Sequence, residues 1–91
     1  MNMTGIQTLV RVRTKRALTF DRLFAAGLAL QNTSAAEAAE DIGCSTQTIH
    51  RWIAGGSLPR RQMIGAIADV CGMEISDIHT AIHNSTIQRS K

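Results

Sequence analysis

Tyrosine is absent from this 91-residue chain, which holds only one tryptophan, two phenylalanines and one proline. With 44 % hydrophobic residues but so few rings, its core must be built from Ile, Leu, Val, Met and Ala. Together with the scarcity of proline, that composition suits short packed helices and predicts an all-α fold. Cysteine is limited to Cys44 and Cys71, at no paired spacing, which excludes a disulfide-dense secreted scaffold. In their apolar helical surroundings the two read as small buried thiols of a reducing cytoplasm. No apolar stretch approaches the ~20 residues that cross a bilayer, which speaks against a membrane-spanning helix. Acids are missing from residues 1–16, which carry Arg11, Arg13, Lys15 and Arg16. Transit peptides share that bias, but residues 8–16 alternate apolar and basic side chains, so the segment is read as an arm of the mature protein. Ninety-one residues form one small domain, too short for a cleft between two.

What is present is concentrated in residues 34–53. Ser34 followed by Glu37 is a capping box, in which each side chain accepts the other residue's free backbone N–H. Ala38, Ala39 and Ile42 then recur at helical spacing, and Gly43 supplies the left-handed residue that stops the helix. Ser45 offers a second N-cap, and Ile49, Trp52 and Ile53 mark the buried stripe of a second helix. Upstream, a first helix is expected from Arg16 or Ala17 to about Gln31, with Leu18, Leu23, Phe24 and Leu28 inward and Asn32 and Thr33 breaking it. Downstream of a Gly55-Gly56-Ser57 loop, Pro59 is expected at the first position of a fourth helix. Ile64, Ile67, Ala68 and Cys71 line that helix, and Gly72 ends it. Ser76 is expected to cap a fifth helix carrying Ile78, Ala81 and Ile82 inward. The domain then spans residues 17–84, between the basic arm of residues 1–16 and a polar tail of residues 85–91. Leu9-Val-Arg-Val-Arg13 reads as a short edge strand or as an extended arm.

Two short helices joined by a tight glycine turn, the second with an exposed polar face, suit a DNA major groove. The segment resembles the helix-turn-helix of the lambda repressor and Cro group, also called the Xre family. The matching residues are Ala39, Gly43, Ile49 and Trp52. The likeness continues through Trp52-Ile-Ala-Gly-Gly-Ser-Leu-Pro59 and Ile64-Gly-Ala-Ile-Ala-Asp-Val-Cys-Gly-Met-Glu-Ile-Ser-Asp-Ile78, and covers roughly residues 18–84. It implies a compact five-helix, lambda repressor-like DNA-binding domain, here with a basic N-terminal arm. It departs from the pattern where Ala38 replaces a larger aliphatic, and where Ala35, Glu37, Glu40 and Asp41 make the first helix of the motif acidic. No phosphate contact is assigned to that helix.

At about 100° per residue, Gln47 and Arg51 fall almost opposite the Ile49/Trp52/Ile53 stripe, with Thr46 and His50 on one flank. Gln pairs bidentately with adenine and Arg with guanine, so Gln47, Arg51 and Thr46 are the candidate base contacts. The resemblance places Ser45, Thr46, Gln47 and Arg51 where bases or nearby backbone are touched. Ser45, His50, Ser57, Arg60 and Arg61 are the candidate backbone contacts, the two arginines as a phosphate clamp at a helix start. For each of these the alternative is a solvated polar face. Arg11, Arg13, Lys15 and Arg16 are candidate arm contacts to a minor groove or to phosphates, or else plain solvated charge.

His79 and His83 are four apart but lack a further ligand, so no metal site is assigned, and no cofactor. No nucleophile has a plausible base, so no catalytic residue is assigned and an enzyme is not expected. The expected function is a sequence-specific transcriptional regulator of the Cro or repressor kind. It would act in the cytoplasm of a bacterium or phage-infected host as a homodimer on double-stranded operator DNA, without a membrane role. The alternatives sharing the fold are an antitoxin, with a toxin as partner, and a phage activator or recombination accessory factor.

Overall fold

A computed structural model describes residues 18–89, and among these it has five α-helices, one short 3-10 turn and no strand. The helices are α1 (Phe20–Leu30), α2 (Ala35–Ile42), α3 (Thr46–Ala54), α4 (Ile64–Cys71) and α5 (Ile75–Arg89), with the 3-10 turn Arg61–Met63 ahead of α4. Residues 1–16, with the edge-strand reading of residues 9–13, lie outside the described part.

The polar punctuation acts as its chemistry dictates. At α2, the Ser34 N–H donates to Glu37 Oε1 at 2.8 Å, and the Glu37 N–H donates back to Ser34 Oγ at 3.1 Å. At α3, Ser45 Oγ accepts the Thr48 N–H at 3.1 Å. Between them Gly43 turns the chain at φ 90°, a conformation that costs an L side chain about 1 kcal/mol or more. Its N–H and that of Cys44 both reach Ala39 O, at 2.8 and 2.9 Å, so the turn between the two helices is closed by backbone alone.

One core holds all five helices. Phe20, Phe24 and Leu28 of α1 meet Ala38 and Ala39 of α2, Ile49 and Trp52 of α3, Ile64, Ile67, Ala68 and Cys71 of α4, and Ile78 and Ala81 of α5. Three rings form its centre. Phe20 and Phe24 stack with centroids 5.4 Å apart, and Trp52 stands edge-on to both at 6.0 and 5.6 Å. Such pairs contribute about 0.5–1.5 kcal/mol each beyond area burial. Helices α1 and α4 approach so closely that a Cβ on Gly27 would stand 2.7 Å from the Cys71 Cβ.

Four expectations are corrected. Helix α1 starts at Phe20 rather than at residue 16 or 17, because Thr19 is extended (φ −98°, ψ 170°) and turns its hydroxyl to the Asp21 carboxylate. Pro59 does not open α4: Arg60 after it is extended (φ −76°, ψ 156°), so no helical turn can start at the proline, and the helix begins at Ile64 after the tight turn. Ser76 is not the cap of α5, since the N–H groups of Asp77 and Ile78 already bond to Glu74 O, at 3.0 and 3.4 Å. The same helix does not end near His83 but runs to Arg89, across the residues read as a polar tail. It continues because Ser85 is buried and accepts the Phe20 N–H at 2.8 Å, while Asn84 Nδ2 donates to Leu18 O at 2.9 Å. Helix α5 therefore caps the start of α1 across 65 residues of sequence.

Candidate nucleic-acid interface

The rotation of α3 about its own axis decides what it presents. Ile49 is 0 % and Trp52 2 % exposed, so their mean direction points into the core. At about 100° per residue, Gln47 then stands roughly 170° from that direction, with Arg51 and His50 roughly 130° from it on opposite flanks. All three are exposed, as are Thr46 and Ser45. Ile53, expected to be buried, is 36 % exposed, because it lies roughly 70° from the core direction. Thr48 lies as far round on the other side and is half-buried. Its hydroxyl is 2.9 Å from Ser45 Oγ, and its N–H is capped by that same oxygen. The start of α3 suits a negatively charged neighbour, since its first turn carries no acid and its N-cap Ser45 is exposed, and Arg51 adds a positive charge in the last turn.

The remaining candidates flank this helix. Ser57 is half-buried in the loop after α3, where it lines an open groove of about 520 Å³ with Thr19, Asp21, Arg22, Trp52 and Leu58. Arg22, which sequence reasoning did not single out, is exposed on this groove. Nothing in its local sequence marks it out, because only the fold brings the start of α1 beside the loop. Arg60 and Arg61 are both exposed, one as cap of the 3-10 turn and one as its first residue. Arg11, Arg13, Lys15 and Arg16 lie outside the described residues.

Charge is divided between the two motif helices. Exposed Glu37, Glu40 and Asp41 stand on α2, and the Glu37 carboxyl is held below its ordinary value of 4.5, chiefly by the Ser34 backbone N–H and then by the Ser34 side chain. Both cysteines are free thiols. Cys71 is buried, as expected, and burial pushes its thiol up to about 11, whereas Cys44 is only half-buried and is raised by the same cause. His79 and His83 are exposed, and no metal-holding cluster occurs among the described residues. Nor is any helix among them long and apolar enough to cross a membrane.

A capped helix, a backbone-closed glycine turn and a second helix with a polar outer face define a helix-turn-helix DNA-binding domain. The model of the helix-turn-helix family matches residues 24–78, from within α1 to the first turn of α5. The chain belongs to this Xre or lambda repressor-like family of helix-turn-helix domains, which bind DNA in transcription regulation. Comparison with curated proteins and with solved structures gave no significant match.

Proposed function

We propose that this protein is a sequence-specific transcriptional regulator of the Cro or repressor kind, acting on operator DNA in the cytoplasm. The observation that carries the reading is the outer face of α3, where Thr46, Gln47, His50 and Arg51 are all exposed while Ile49 and Trp52 lock the inner face. A polar face held in fixed orientation suits a groove in which donors and acceptors must meet base edges. Gln47, Arg51 and Thr46 are the base contacts, and Ser45, His50, Ser57, Arg60 and Arg61 hold the backbone. The basic arm of residues 11–16 adds phosphate or minor-groove contacts. The protein acts as a homodimer on a palindromic operator whose half-sites lie about 34 Å apart, one helical turn. Bound there, it controls transcription by occupancy.

The test is fluorescence anisotropy on the DNA upstream of its own gene, at two salt concentrations, for the wild type and for Gln47→Ala and Arg51→Ala. Tight binding of one site by the wild type, with preference for it lost in both variants, supports the reading. Equal binding by all three, governed by salt alone, means that only phosphates are held. A protein partner, such as the toxin of an antitoxin pair, then becomes the better explanation.

A further inference from the structure

The anchoring of α3 constrains which bases the helix reads, and how far apart. Gln47 projects furthest from the core direction and Arg51 follows one turn later, about 40° round the axis. Four residues advance about 6 Å along a helix, close to two base-pair steps of 3.4 Å. Two of the side chains between them are taken off the outer face by the fold: Thr48 is half-buried with its hydroxyl on Ser45, and Ile49 is fully buried. His50 is exposed on the flank opposite Arg51, where it is proposed to hold the DNA backbone. Beyond Arg51, Trp52 is buried in the ring cluster, Ile53 has no polar group, and Ala54 brings only a methyl. Bidentate readout along the outer face is thus left to two long side chains, one amide and one guanidinium, beside any single hydrogen bond from Thr46. Their bidentate partners in the major groove are adenine N6/N7 and guanine O6/N7.

We infer that each operator half-site carries one adenine and one guanine about two base-pair steps apart, the adenine read by Gln47 and the guanine by Arg51. Elsewhere in the half-site, preference comes from shape and apolar contact rather than paired hydrogen bonds. The inference rests on α3 being the helix that enters the groove.

Selection from a random duplex pool, with wild type, Gln47→Arg and Arg51→Ala in parallel, tests it. The wild type is expected to select an adenine column and a guanine column two steps apart. Gln47→Arg should turn the adenine column into guanine and leave the other intact. Arg51→Ala should lose the guanine column alone, lowering discrimination there by about 10- to 100-fold. Selected sites without such an adenine–guanine pair, or columns unmoved by these substitutions, overturn the inference while leaving DNA binding in place. Failure of the wild type to retain any duplex at low salt overturns the underlying reading instead. Both positions are exposed, so melting curves of the variants should overlay that of the wild type.

Discussion

At the scale of single residues, ionisable and reactive groups report on the motif. Glu37 is held below its ordinary value by the Ser34 N–H, so the folded state binds its proton less readily than the unfolded chain. Its contribution is therefore present above the ordinary value of 4.5 and is lost as pH falls through the lower folded value. Melting temperature should drop between about pH 5 and pH 3, and Glu37→Gln should flatten the part of that slope that belongs to the α2 cap. Thermal melts of both proteins across that range check it. The thiols diverge for a different reason. Cys71 is buried with its thiol pushed up to about 11, whereas Cys44 is half-buried beside the turn. An aromatic disulfide reagent at pH 8 should titrate Cys44 in the native protein and Cys71 only when denaturant is added, since the thiolate is the reacting form. Two equally fast thiols in the native state would contradict the packing of α4 against α1.

Two glycines make opposite predictions at the scale of the helices. Gly27 sits where a Cβ would meet Cys71 Cβ at 2.7 Å and Sγ at 2.8 Å. Alanine gains about 1 kcal/mol of helix preference there, but overpacking against an atom next to the backbone costs about 1–3 kcal/mol. Gly27→Ala should therefore be destabilising on balance. Gly65, on the exposed side of α4, has nothing within 4 Å of its Cβ position, so Gly65→Ala should stabilise by about 0.4–1 kcal/mol. Urea unfolding of the two variants checks both signs. Ser85→Ala leaves the Phe20 N–H unpaired in a buried place and should cost about 1–3 kcal/mol in the same experiment.

These elements also show what the chain discloses before it folds. The Ser34–Glu37 box, the Gly43 turn, the Ser45 cap and the inward face of α4 follow from local chemistry, and each stands where its residues put it. The polar face of α3 was legible for the same reason, because helical period alone sets Gln47 and Arg51 opposite Ile49 and Trp52. The helix starts were less legible. Pro59 fits a first helical turn and an extended loop equally well until packing chooses. Ser85 and Asn84 read as solvent-facing because their partners, the Phe20 N–H and Leu18 O, are more than sixty positions away. Arg22 was missed on the same account. Hydrogen bonds and grooves made between distant segments leave no mark in a local window.

For the whole molecule, electrostatics should separate affinity from specificity. If Arg60 and Arg61 each hold a phosphate, replacing either with alanine should weaken binding about equally on every sequence. The slope of log K against log salt should then fall by about 1. Titrations at several salt concentrations, on a selected site and on random duplex, check this against the position-specific losses expected at Gln47 and Arg51. A loss confined to one sequence would move the arginines from the backbone to the bases.

The bond from Phe20 to Ser85 also sets a timetable for synthesis. Helix α1 carries two of the three rings that seat the recognition helix, yet its first N–H finds its partner 65 residues later. At about 5–20 residues per second, a ribosome needs roughly 3–13 s to supply that serine. During that interval the emerging chain holds its aromatic helix without its final clamp, and a nascent protein stalled before Ser85 should be digested readily by protease. The surface proposed to read DNA is therefore completed only once Ser85 has been made, well after α3 itself.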